Sequence, residues 1–222
     1  MASIRKVLRD SDGTTIDLAK QEAEQADTTN KAKRVVIVGG SAGADLTIDS
    51  ITGALATIST SHYEIHEGDM FKVDVNDDDL DTNDTLSIYL KTPNTTARIH
   101  MFYSAYSSGA TTFELLEGPT VTAGTGSQLA VYNRDRNNAN VSTVLDNTAT
   151  PVANKTSLNV TTTADGTQLH HEMLGSGKNK LSGDTRDANE WILKQNTGYV
   201  FRITGDSNDN RVNLILNFYE EG

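Results

Sequence analysis

The sequence predicts an all-β protein, an antiparallel β-sandwich or jelly roll with an extended N-terminal arm. Two observations carry this. From about residue 62 to the end, apolar residues alternate with polar ones at a period of two. Clusters of Asn, Asp, Gly and Thr separate the alternating runs, and closely spaced strands joined by such turns are the mark of antiparallel sandwiches.

Residues 1–34 read as an arm. The stretch Ile16 to Ala26 could form a helical turn or two, but its apolar content is too small to anchor it alone. Arg34 to Val38 is a compact β-branched run followed by Gly39, Gly40 and Gly43. Asp45 to Thr60 is β-branched and interrupted by Gly53, which fits two short strands or an extended crossing segment. We therefore divide the chain into an arm with short strands, residues 1–60, and a sandwich domain, residues 61–222.

Within that domain the alternating sets are Phe71, Val73 and Val75, then Leu86, Ile88 and Leu90, then Ile99, Met101 and Tyr103, then Phe113 and Leu115. Turns are expected at Asn76 to Asp84, Thr92 to Thr95 and Ser107 to Ala110. The stretch from Arg134 to Thr167 has few large apolar groups. Weak strands are expected there at Val141 to Leu145 and Ser157 to Thr162, with long loops between. Gly175 to Ala188 reads as a polar loop. The end is a meander: Glu190 to Lys194, a turn at Gln195 to Gly198, Tyr199 to Thr204, and Arg211 to Tyr219. In the last strand Val212, Leu214, Leu216 and Phe218 share one face, and Asn213, Ile215 and Asn217 the other.

Composition narrows function. The chain of 222 residues is 36% hydrophobic and carries a net charge of −11. Residues 1–34 hold seven basic and six acidic side chains, so the acidity belongs to the body. Excess negative charge argues against nucleic acid, whose phosphates would repel it. No apolar run approaches the ~20 residues of a membrane helix, and MASIRKVLRD lacks the apolar stretch of a signal peptide. The expectation is a soluble protein made in the cytoplasm. The absence of cysteine removes disulfides, thiolate zinc sites and cysteine nucleophiles.

Motifs for chemistry fail at named positions. Val35 to Ala44 (VVIVGGSAGA) resembles a dinucleotide-binding turn, but Ser41 and Ala44 stand where the second and third glycines belong, and no helical period follows. Gly175 to Lys178 lacks the phosphate-loop pattern, because Glu172 and Asn179 occupy its first glycine and its hydroxyl position. Asp77, Asp78, Asp79, Asp81 and Asp84 form an acidic connection. Thr82 and Ile88 exclude an EF-hand, so it reads as a solvated strand connection, with a looser calcium site as the alternative. Asp206, Asn208, Asp209 and Asn210 form a similar loop. His62 and His66 are placed on one strand at an even spacing. His170 and His171, being adjacent, point to opposite faces, and His100 stands alone. We assign no catalytic, cofactor-binding or metal residue, and no cofactor.

His62 to Phe71 (HYEIHEGDMF), Phe113 to Glu117 (FELLE), Tyr132 to Arg134 (YNR), Trp191 to Thr204 (WILKQNTGYVFRIT) and Asn213 to Glu220 (NLILNFYE) together resemble tailed-bacteriophage proteins that decorate or cement the head. The resemblance covers about residues 60–222. It implies a non-enzymatic virion component on the capsid exterior. Such a component is a homo-oligomer, dimer or trimer, that binds the major capsid protein and braces neighbouring subunits. The alternative is a carbohydrate- or receptor-binding module of a phage fibre, for which Tyr103, Tyr106, Trp191 and Tyr199 are the candidate platform. A glycan hydrolase is a third class, and no residue set supports it.

Overall fold

Side chains on a strand point alternately to its two faces, and in this chain the inward sets are large enough to fill a layer between two sheets. The computed structural model describes residues 60–175 and 190–221, together with the short strands β1 (Leu8–Arg9) and β2 (Thr15–Ile16). The chain divides into two units, Met1–Thr57 and Ile58–Gly222. In the first, β1 and β2 pair antiparallel with Leu8 opposite Ile16. The remainder of Ile16 to Ala26, the glycine-rich stretch Val35 to Ala44 and the expected strands at Arg34 to Val38 and Asp45 to Ser59 lie outside the described residues.

The second unit opens with helix α1 (Thr60–Glu67). Four long strands follow: β3 (Met70–Leu80), β4 (Thr85–Lys91), β5 (Arg98–Ser107) and β6 (Thr111–Glu117). Short strands come next: β7 (Thr120–Val121), β8 (Ser127–Ala130), β9 (Tyr132–Asn133), β10 (Lys155–Leu158) and β11 (Thr162–Ala164). The chain ends with β12 (Thr167–Leu174), β13 (Trp191–Leu193), β14 (Gly198–Gly205) and β15 (Asn210–Glu221).

Two large antiparallel sheets result, one ordered β12-β6-β14-β4-β10-β8 and the other β13-β5-β15-β3-β9. The pairings are nested. β3 pairs with β15, β4 with β14, β5 with β13 and β6 with β12, so the chain is one long hairpin rolled up and divided between two sheets. This is the jelly roll expected from the sequence. Phe71, Val73, Leu86, Ile88, Leu90, Met101, Phe113, Leu115, Phe201, Ile203, Leu214, Leu216 and Phe218 are all 2% exposed or less and fill the space between the sheets.

Residues 118–166 are an insertion between β6 and β12. Three of its strands extend the two sheets, β10 joining β4, β8 joining β10 and β9 joining the edge of β3, while β7 and β11 pair with each other as a separate two-stranded sheet. Val121 and Val160 cover the outer face of the larger sheet, packing on Tyr89, Leu116 and Val200. Few large apolar groups are present, and polar side chains do the fastening instead. Buried Asn147 donates to the Thr122 and Thr125 carbonyls at 3.1 Å, and its own N–H donates to the Ser157 hydroxyl at 3.0 Å. Glu220 of β15 accepts the Ser142 hydroxyl at 2.6 Å and the Thr143 N–H at 2.9 Å.

Several expectations change. Val141 to Leu145 is not a strand; Leu145 alone bridges to Lys91 and Ala153, because this segment is held by Glu220 rather than by a ladder. The Ser157 to Thr162 run divides between β10 and β11. The connection at Asn76 to Asp84 is shorter than expected. Buried Leu80 keeps β3 in the ladder opposite Asn210, with a register shift before Val212. β12 carries no alternation of large apolar residues. Its inward positions hold His170, Glu172 and, at its end, buried Leu174, and its register shifts between Gln168 and His170. Most of the Gly175 to Ala188 loop lies outside the described residues.

The segment at His62 to His66 is helical, not extended. No alternating apolar set runs through Thr60–Glu67, and a glycine cap stops the helix. Gly68 has φ +84°; its N–H reaches the Ile65 carbonyl at 3.2 Å and the Asp69 N–H reaches the Glu64 carbonyl at 3.0 Å, the paired bonds of a Schellman cap. The Asn138 amide donates to the Glu67 carbonyl at 3.2 Å and the Asn133 amide to the Gly68 carbonyl at 2.6 Å, fixing this end to the insertion.

Two measurements check this packing. Leu214→Ala should cost about 3 kcal/mol in urea denaturation, as for a fully buried leucine, whereas Ile215→Ala on the outward face should cost less than half as much. Gly68→Ala should cost roughly 1–2 kcal/mol from the left-handed backbone alone, and more because a Cβ there would lie 2.0 Å from the Asn138 amide nitrogen.

Candidate functional site

The antiparallel pairing of β3 with β15 brings two acidic loops to one end of the sandwich. The turn after β3 and the turn before β15 are bonded to each other. Thr82 donates its N–H at 3.1 Å and its hydroxyl at 2.7 Å to the Asn208 side-chain oxygen, and the Asp209 N–H donates to Asp81 at 3.1 Å. Asn83 and Asp209 take positive φ values of 71° and 57°, which short polar side chains tolerate. Asp79, Asp81 and Asp209 each present a carboxylate oxygen, all within 4.8 Å of one another and all exposed. These oxygens are hard ligands of the kind calcium takes, though calcium uses about six to eight and three side chains supply only part of a shell. Asp77 is tied to the Asp79 N–H at 3.0 Å, and Asp206 accepts the Thr112 hydroxyl at 2.9 Å.

The histidines have separate surroundings. His100 is buried, with its ring nitrogens 2.7 Å from Glu190 and 3.2 Å from Glu221. It stacks on Tyr219 at 4.4 Å, so it does not stand alone. Tyr219 donates its hydroxyl to Glu190 at 2.9 Å, and burial first, then Glu190, pushes its phenol well above the usual range. These contacts fasten the start of β13 to β5 and β15. His170 and His171 do face opposite ways. His170 lies 5.9 Å from the Tyr103 ring and 3.7 Å from Glu172, while His171 is exposed. His62 and His66 meet on α1, with Nε2 atoms 2.9 Å apart.

No family model, curated protein or solved structure matches this chain.

Of the four aromatics proposed as a glycan platform, Tyr103 and Tyr199 are buried at 4% and 1%, and Trp191 is half-buried against the core. Burial raises the Tyr103 phenol to about 12. The Tyr199 hydroxyl donates to Glu117 at 2.9 Å and accepts the Lys194 N–H at 2.8 Å. Tyr106 is exposed, on the outward face of the smaller sheet. A depression of about 470 Å³ lies beside the start of β3, lined by Asp69, Phe71, Asn140, Val141, Thr143 and Glu220. Both its carboxylates are engaged: the Asn140 amide donates to Asp69 at 3.1 Å, and Glu220 holds Ser142 and Thr143. Of the Gly175 to Lys178 loop, Gly175 alone is described.

Asp146 is the most heavily bonded carboxylate of the insertion. Burial acts to raise its pKa. The Val152 N–H at 3.0 Å, the Thr148 hydroxyl at 2.8 Å, the Thr148 N–H at 3.3 Å and the Gln128 amide outweigh that and hold it below the ordinary aspartate value. A lowered carboxylate stabilises the fold at pH values above its unfolded pKa, about 3.9. That contribution is lost as pH falls through the lower folded value. Asp146→Asn should therefore reduce stability at pH 7 and flatten the loss of stability between about pH 4 and pH 2, measured by thermal melts across that range.

Proposed function

We propose that this chain is a capsid decoration protein that binds the outer surface of a phage head and braces neighbouring major capsid subunits. The observation that carries the reading is the use made of the chemically capable side chains in the described sandwich. Glu220, Asp146, Glu117, Glu190 and His100 hold strands and insertion together, an arrangement that suits a structural body. Arg202 does the same on the outer face of the larger sheet. Its guanidinium reaches Glu114 at 2.7 Å and Asp165 at 2.9 Å, tying β14 to β6 and to the end of the insertion.

Further support comes from the resemblance to head-decoration proteins. The stretches that carry it fall on α1, on β9 of the insertion, and on β3, β6, β13, β14 and β15 of the roll. On the outward face of the smaller sheet, Tyr106 and Ile192 are exposed, and Phe102 and Ile215 are half-buried. A surface of that kind suits protein–protein contact. Many weak contacts repeated over a shell give high total avidity.

The test uses preassembled shells of the host phage. The full chain should saturate them in a sedimentation assay, and a variant lacking residues 1–34 should lose at least about tenfold in affinity if the arm supplies contact area by ordering on neighbouring subunits. Undiminished occupancy would remove the arm from the reading, and failure of the full chain to bind shells would remove the reading itself. Glycan-array binding abolished by Tyr106→Ala, with folding intact, would favour the fibre-module alternative.

A further inference from the structure

An eight-residue helix is too short to hold itself in water, so the placement of α1 depends on its ends and on β3. Its C-terminal end is fixed by the Gly68 cap and by the Asn133 and Asn138 amides of the insertion. Because His62 and His66 are four residues apart, one turn of this anchored helix stacks them on one face. Both rings are exposed. Their centroids are 4.7 Å apart at an interplanar angle of 64°, and the two Nε2 atoms are 2.9 Å apart.

That separation has a chemical meaning. Two nitrogens each about 2.0–2.1 Å from one ion lie about 2.8–3.4 Å apart at ligand angles of roughly 90–110°. A His-x-x-x-His pair on a helix face is the chelating unit found in many zinc sites, because the spacing aims both nitrogens at one point. We infer that His62 and His66 form a surface site for a first-row transition-metal dication, with water completing its coordination.

The alternative state of the pair is a hydrogen bond from the Nε2–H of one imidazole to the lone pair of the other. A metal ion takes the place of that bridging proton. The donating ring moves its proton to Nδ1, and both Nε2 lone pairs then face the ion. Neutral rings therefore bind the ion without net proton release. Glu64, Glu67 and Asp69 lie in the same segment and make it net negative, which favours an arriving cation. Imidazole nitrogen selects copper, nickel and zinc over calcium and magnesium, which prefer oxygen. The site is thus chemically distinct from the Asp79, Asp81 and Asp209 cluster. Anchoring of the helix end reduces the ordering needed on binding.

The test is titration calorimetry of the full chain, free of any polyhistidine tag, with zinc chloride and with nickel chloride. One equivalent per chain should bind. His62→Gln and His66→Gln should each weaken binding by at least about tenfold, since loss of even an outer partner of a metal ligand costs that much. His171→Gln, at another exposed histidine, should leave binding unchanged. Electron paramagnetic resonance of the copper(II)-loaded chain should report two coordinated imidazole nitrogens in the wild type and one in each variant. Both substitutions are at exposed positions, and circular dichroism would verify folding. Absence of saturable binding would overturn the inference, as would binding that survives either substitution at full strength.

Discussion

The whole sandwich depends on the way β15 is held. It is the longest described strand, and it is laddered along most of its length on both sides, against β3 and against β5. Val212, Leu214, Leu216 and Phe218 all point inward from it and are 3% exposed or less. A strand with a buried inner face cannot slip by one residue, since a slip would turn that set to solvent and bring Asn213 and Asn217 into the core. Fixing β15 fixes β3, and the remaining nested pairs follow: β14 on β4, β13 on β5 and β12 on β6. The last residues of the described chain are thus central to the sheet that its first long strand begins.

The insertion obeys a different constraint. It buries little apolar surface, so it is held by polar groups that would be costly to leave unpaired. Asn133, Ser142, Asp146, Asn147 and Ser157 are buried and bonded to nearby backbone or to one another. Such fastening is directional. It sets the loops accurately where a purely apolar contact would allow sliding, and it positions Asn138 and Asn133 against the end of α1. The same logic governs the outer face of the larger sheet, where Arg202 bridges a strand and the insertion through two carboxylates. Breaking one partner of such a set leaves the others buried and unpaired, so these residues couple strongly to one another.

For function, the consequence is a division of labour between faces. Inward groups build the roll, and many of the groups capable of catalysis are committed to joints. Among the described residues, the outward features include the sheet face around Tyr106 and Ile192, the acidic turn cluster at one end, and the histidine pair on α1. The proposed capsid-binding role would draw on that outward surface.

The sequence alone determined the class of fold and the long strands. Period-two alternation in Phe71 to Val75, Leu86 to Leu90, Ile99 to Tyr103 and Val212 to Phe218 reflects burial of one face, and that is a local property of each strand. It also determined that the dinucleotide and phosphate-loop patterns fail, because those motifs are strings of fixed spacing. Tertiary structure decided what depends on partners distant in the chain. β12 was illegible because, before buried Leu174, its inward positions are His170 and Glu172 at an edge, where solvent relaxes the demand for apolar residues. Val141 to Leu145 read as a strand because its pattern cannot show that Glu220, nearly eighty residues later, holds it instead. The helix at His62 to His66 was missed because eight residues carry too little periodicity, and its capping bonds come from Gly68 with support from Asn133 and Asn138. The meeting of Asp79 and Asp81 with Asp209, and of one histidine with another across a helical turn, belongs to geometry that only the folded chain supplies.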